Sequence, residues 1–248
     1  MRAAHVMVIA LAAACGAASP STMPSASPPP AAPVRVLFFS ATTGFRHDSI
    51  PAARQALTAL GASTGAFTVT ASEDVADLSA AKLANVDVVF FGMTTGELPL
   101  SPETKRALLD FVQSGHGFIG VHSATDTLYD WPEYGTLIGA YFKEHPWTQT
   151  ATVTVEDRAH PVNAGLGASF AIQEEFYAFR ENPRPRVHVL LSLDTSSVGA
   201  SGDYPLAWTQ SIGSGRMYYN ALGHFPATWA DQRFLSQIRA AIVWVGGK

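Results

Sequence analysis

Hydrophobic and polar positions along this chain switch between the periods of strand and helix. Val34 to Phe39 is a near-continuous apolar run, the pattern of a strand buried on both faces of a parallel sheet. Ala53, Leu57 and Leu60 then recur at helical spacing. Asp48 or Ser49 can cap that helix and Pro51 suits its first turn. Phe67 to Thr70 and Val86 to Phe91 read as the second and third strands, the third ending at Gly92. Ser101-Pro102-Glu103 opens another helix with a cap, a first-turn proline and an acidic residue at its positive end. Its apolar face is Ala107, Leu108, Phe111 and Val112, and Gly115 stops it before a fourth strand, Phe118 to Val121.

The second half is richer in strands, predicted at Thr150 to Val155, Val187 to Leu193, Leu206 to Thr209 and Arg216 to Leu222. A last helix, Asp231 to Val245, presents Phe234, Leu235, Ile238, Ile242 and Val245 as its buried stripe. Alternation of strand and helix predicts an α/β three-layer sandwich with a central, mostly parallel sheet, flavodoxin-like or amidotransferase-like, carrying an antiparallel extension. Ligands of such folds sit at the carboxyl edge of the strands. The loops expected there are Thr42 to Asp48, Met93 to Leu98 and His122 to Asp126.

Ahead of this domain lies a different kind of sequence. Arg2, the apolar run Val6 to Leu11 and Ala12-Ala13-Ala14 form a secretory signal too short to span a bilayer. Followed by Cys15, it resembles a bacterial lipoprotein signal, which implies cleavage after residue 14 and lipid on the Cys15 thiol; the alternative is ordinary cleavage near Ala18. Residues 15–33 are a tether of Ser, Pro and Ala, and 34–248 the folded domain. The expected setting is extracytoplasmic, periplasm or cell surface, with membrane contact only through the lipid anchor. Cys15 is the single cysteine, so the domain has no disulfide, thiolate metal site or thiol nucleophile. Net charge is −4 with no basic run, which argues against nucleic acid as a partner.

The candidate chemistry centres on Gly115 to Thr127. An apolar strand ends abruptly in Gly120-Val121-His122-Ser123-Ala124, small residues on both sides of one reactive side chain. A sharp strand-to-helix elbow needs that arrangement, with His122 where hydrolases and amidotransferases carry Ser or Cys. His224 also leaves the end of a predicted strand. His47 and Asp126 lie in loops at the same edge, while His145 and His160 each precede a proline, which holds them extended. Glu174 and Glu175 are adjacent, so strand alternation turns only one inward, and a solvated pair is the plainer reading. His116 and His188 look structural.

Imidazoles from such loops, His122 and His224 with Glu175, can hold zinc or another divalent ion. The same groups can bind sugar hydroxyls, with Trp147, Tyr177, Trp208 or Trp229 stacking on a ring. Ser40 to Gly44 loosely matches a flavodoxin phosphate loop, but Phe45-Arg46-His47 breaks the pattern and argues against FMN.

Seven ordered motifs carry a family resemblance: Gly44 to Asp48, Gly115 to Ala124, Phe142 to Pro146, His160 to Val162, Glu174 to Tyr177, Pro205 to Trp208 and Gly215 to His224. Over essentially everything from Val34 onward the chain resembles the ThuA-like (trehalose utilisation) family, departing from it at His116, where that family usually has glycine. The resemblance implies a class I glutamine amidotransferase-like fold that has lost its thiol nucleophile. It also implies a link to sugar catabolism, often beside oxidoreductases that make keto-sugars. It raises His47, His122, His145, Glu175 and His224, all on motif positions, as site residues. The leading expectation is an exported enzyme acting on a glycoside or keto-sugar by acid–base or metal-assisted chemistry, with Tyr177, Trp208, Asp126 and His160 binding substrate. The rival is a carbohydrate-binding pseudoenzyme at the cell surface. Glutaminase activity is excluded by the missing thiol.

Overall fold

The computed structural model describes residues 1–10 and 32–247. Cys15 and most of the tether lie outside the described residues. The chain divides into two units, Met1–Ala31 and Ala32–Lys248. In the first, residues 1–10 take no regular secondary structure. Among the described residues no helix is long and apolar enough to cross a membrane.

The second unit is an α/β fold built on one nine-stranded sheet. In chain order its elements are β1 (Val34–Phe39), α1 (Ile50–Thr64), β2 (Phe67–Ser72), α2 (Ala80–Leu83), β3 (Val88–Gly92), α3 (Pro102–Gln113) and β4 (Gly117–Val121). They continue with α4 (Pro132–Ile138), β5 (Phe142–Val155), β6 (Ser169–Phe179), β7 (His188–Leu193), β8 (Pro205–Ile212), β9 (Gly215–Asn220) and α5 (Gln232–Val245). Strand order is β2-β1-β3-β4-β9-β8-β7-β5-β6. Every pairing from β2 to β9 is parallel, and every pairing from β9 to β6 is antiparallel. The parallel core with its antiparallel extension is thus the expected architecture.

Helices cover both faces of the parallel half, and the glycines of β4 show why. A Cβ at Gly117 would lie 2.7 Å from Val245 of α5, and one at Gly120 would lie 2.3 Å from Ile138 of α4. Three residues apart on a strand, the two positions face opposite sides, so both helices press directly on the β4 backbone.

The expected α3 forms as read, Ser101 Oγ accepting from the Thr104 amide. At α1 the outcome differs. Ser49 occupies the cap position without capping, because its hydroxyl donates instead to the Gly223 carbonyl at 3.0 Å. A long-range bond there ties the start of α1 to the loop after β9. In α5 Leu235 is only half-buried, and Gln237 and Ala241 complete the buried stripe.

The largest departures lie together: β6 falls where no strand range is predicted, and β5 begins eight residues before the expected strand. It pairs with β7 only over Val153–Val155, but with β6 from Phe142 to Thr154, through two irregularities near Glu144 and Trp147. Beyond β7 the two strands run on as a ribbon. Its aromatic side chains return to the core, Phe179 packing edge-on against Trp208 at 5.0 Å and against Tyr219 at 6.0 Å. Sequence alternation is weak here because the outer residues of β5 are exposed.

At the end of β3, a Cβ on Gly92 would meet the buried Phe38 ring at 2.1 Å. Gly92→Ala should therefore cost about 1–3 kcal/mol by overpacking, read as a lowered urea midpoint; an unchanged midpoint would show that this ring has room to move.

Candidate active site

The parallel sheet ends at one edge in three loops that are stitched together. Thr42 bridges to Thr95 and Gly96 to Thr127, both in parallel sense. His47 comes from the first of these loops. His122 follows β4 directly and is fully buried with φ 53°, the left-handed region that few non-glycine residues occupy. This is the elbow expected from the sequence. Its carbonyl accepts from the Tyr219 hydroxyl at 2.7 Å, and its Nδ1 lies 2.8 Å from the Ala221 carbonyl. A carbonyl can only accept, so Nδ1 carries the hydrogen and Nε2 of the neutral ring presents a lone pair.

Around that lone pair the site is built. His47 Nε2 lies at 3.1 Å, His224 Nδ1 at 3.2 Å, the Tyr177 hydroxyl at 2.9 Å and Glu175 Oε2 at 3.5 Å. Glu175 Oε2 is also 3.3 Å from His224 Nδ1. One lone pair accepts one hydrogen, so no assignment of protons makes all these contacts good hydrogen bonds at once. A cation held among them could satisfy the four groups together. The four groups His47, His122, Glu175 and His224 each offer one ligand atom, all within 4.8 Å of one another. Nitrogens bound to zinc at roughly 2.0–2.1 Å stand about 3.3 Å apart in a tetrahedron, close to the 3.1 and 3.2 Å that separate His122 Nε2 from His47 and His224.

Three of the remaining polar atoms of these groups are anchored too. His47 Nδ1 meets Ser123 Oγ at 3.3 Å, His122 Nδ1 meets Ala221, and Glu175 Oε1 meets His145 Nδ1 at 3.4 Å. Outer partners of this kind fix ring orientation and tautomer at metal sites. Burial, then the neighbouring His122 and His224, push His47 from its ordinary 6.5 down to about 3, so its ring stays neutral with a lone pair free. For Glu175, burial alone would raise the pKa, but the adjoining imidazoles of His122 and His224 overcome it and hold the carboxylate below its ordinary range. The Glu175 carboxylate in turn raises His224 against the opposing effect of burial.

Glu174 and Glu175 correct an expectation, for both are buried. The imidazoles and the loop after β9 enclose both side chains, so neither carboxylate is wet at this point. Glu175 turns to the imidazoles. Glu174 turns to the loop and accepts from the Gly223 amide at 3.0 Å, the His224 amide at 3.2 Å and the Thr228 hydroxyl. Gly223, with φ 121°, would put a Cβ 2.9 Å from Val121. The loop is thereby held where it delivers His224.

Other expected site residues fall in different places. His145 sits at the rim, half its side chain exposed. Tyr177 contacts His122 through its hydroxyl but is too buried to stack on a sugar. Trp208 belongs to the core, its Nε1 donating to the Ile138 carbonyl at 2.9 Å, because β8 points it beneath α4. Trp229 is likewise buried, donating to the Gly223 carbonyl. Asp126 accepts from the Tyr129 hydroxyl at 2.6 Å and is not among the four ligand groups. His160 lies away from the cluster, where it accepts from the Val162 amide and packs on Trp244 of α5. His116 and His188 are structural, bonding the Phe111 carbonyl and Asp157. Ser123 and Glu174 are contributors that local sequence pattern did not single out.

Two measurements check this geometry. Glu174→Ala leaves buried amides unpaired and should cost about 1–3 kcal/mol for each; unchanged thermal stability would contradict the role given to its carboxylate. For His47, the unfolded chain binds a proton between about pH 3 and 6.5 that the folded chain excludes. Stability of the metal-stripped protein should therefore fall as pH drops from 6.5, and His47→Gln should flatten part of that fall in urea titrations. Equal slopes in both proteins would contradict a buried neutral ring.

Comparison with known proteins gives a consistent picture. The family model for ThuA, trehalose utilisation, matches residues 35–245. A ThuA-like protein from Bacteroides uniformis ATCC 8492 superposes with a TM-score of 0.73 at 24% identity, over 90% of this chain and 95% of that one. A ThuA-like protein from Parabacteroides merdae ATCC 43184 gives 0.71 at 19% identity, over 87% and 91%. A GMP synthase component from Thermoplasma acidophilum gives 0.53 at 10% identity, over 86% and 94%, a likeness of fold alone. No curated protein sequence matches the chain. Its motifs, its sheet and the family match over nearly the whole folded domain together show that the chain belongs to the ThuA (trehalose utilisation) family.

Proposed function

We propose that this protein is a metal-assisted enzyme acting on a carbohydrate, a glycoside or keto-sugar, outside the cytoplasm. The observation that carries the reading is the convergence of His47, His122, Glu175 and His224 on one point at the sheet's carboxyl edge. Three imidazole nitrogens with one carboxylate are a ligand set suited to zinc, and the neighbouring Tyr177 hydroxyl borders any ion they hold. Such an ion acts as a Lewis acid on a carbonyl or hydroxyl oxygen, the groups in which sugars are rich.

His145 is the proton carrier of this scheme. Its ring meets Glu175 on the side away from the ligand atoms and opens to solvent, so it can take a proton from the site and return it. Family membership supports the sugar direction, and the lipoprotein-like N-terminus supports the extracytoplasmic setting with Cys15 as anchor. A glutaminase is not compatible with His122 at the elbow and no cysteine in the domain.

Elemental analysis of the purified protein should find about one divalent ion per chain, zinc being the expected one, and His122→Ala should lose it. His145→Ala should keep the ion but lower turnover of a glycoside or keto-disaccharide by roughly 10²–10⁴-fold. Sugar affinity without turnover in the metal-loaded protein would instead identify a binding module, and full activity in His122→Ala would falsify the proposal.

A further inference from the structure

We infer that Phe45 is the platform on which the C–H face of the substrate's sugar ring stacks at the mouth of the histidine cluster. The inference rests on the carbohydrate reading of the site and names a residue that reading does not require. Phe45 is 65% exposed, and it is the one exposed large apolar side chain among described residues 32–247. Single exposed apolar residues are ordinary on protein surfaces. This one stands beside the cluster, its ring centroid 4.8 Å from that of His47, nearly perpendicular to it.

The backbone that carries Phe45 is anchored on both sides. Its carbonyl accepts from Thr95 Oγ1 at 2.7 Å, and two residues earlier the Thr43 amide donates to the Thr95 carbonyl at 2.9 Å. On the other side, Arg46 grips Glu73 through two bonds of 2.7 and 2.9 Å. Pinned before and after, the ring is presented to solvent on rigid backbone.

What it presents selects the class of ligand. Thr43, Gly44, Arg46 and Asp48 flank it, so there is no contiguous apolar patch of the size protein partners bury. A pyranose fits the combination better. One face of such a ring is lined by C–H groups that lie flat on an aromatic, while its edge carries hydroxyls. With the ring on Phe45, that edge reaches toward His47 and the half-buried His224. The sequence motif Gly44-Phe45-Arg46-His47 would then encode both halves of the contact, the platform and the polar group two residues on.

The test uses the full metal-loaded chain, with trehalose and methyl α-D-glucopyranoside as probes. Binding is followed by calorimetry and by saturation-transfer NMR from aromatic protons. Phe45→Ala should weaken binding at least tenfold while leaving metal content and thermal midpoint at wild-type values. Phe45→Trp should restore it, and saturation should reach the ring C–H protons of one sugar face most strongly. Binding by wild type that Phe45→Ala leaves unchanged overturns the platform alone. Absence of binding of both sugars by the wild type overturns the carbohydrate reading and the platform with it.

Discussion

The hydrogen bond between His122 Nδ1 and the Ala221 carbonyl is the contact on which the site depends. It joins the ends of β4 and β9, neighbours in the parallel sheet, and it decides which nitrogen of His122 carries the hydrogen. Every other group of the cluster is arranged around the lone pair thus left. If the ring adopted the opposite tautomer, Nε2 would face two imidazole nitrogens with a hydrogen where a ligand atom is needed. The left-handed backbone at His122 is strained for a side chain of this size, and the Tyr219 hydroxyl bond to its carbonyl helps to hold it.

Around this contact the architecture has two tasks. The parallel half brings His47, His122 and His224 to a common edge, which any doubly wound sheet does with the loops after its strands. The antiparallel extension does something less usual. Its outer ribbon continues past β7 and lays Glu175 and Tyr177 against His122, so a carboxylate arrives from the far end of the sheet. Glu174, next in line, uses its carboxylate to fix the loop that carries His224. One dipeptide on one strand therefore supplies a candidate ligand, Glu175, and positions another, His224.

Much of this was legible in the sequence. The apolar runs of β1, β3 and β4 are buried on both faces, so their pattern is nearly independent of context. The elbow at His122 was legible because small residues flank a single reactive side chain. The ribbon was not, since an exposed strand has no apolar alternation to read, and Phe142 to Gln149 looked like a loop. Glu174 and Glu175 were misjudged by assuming that one side of a strand stays in water. Trp208 was expected at a sugar and lies in the core, because propensity and composition say nothing of which aromatic a helix will cover. His160 shared the His-Pro pattern of His145 and caps a turn instead.

The central claim is that four side chains from separate parts of the chain hold one ion. Anomalous diffraction from crystals of the protein, measured on both sides of the zinc absorption edge, tests it most directly. The account predicts one strong peak within about 2.0–2.3 Å of His47 Nε2, His122 Nε2, His224 Nδ1 and a Glu175 oxygen. An ordered, well-resolved cluster with water or a shared hydrogen at that point, and no anomalous peak after growth in excess zinc, manganese or iron, would contradict it.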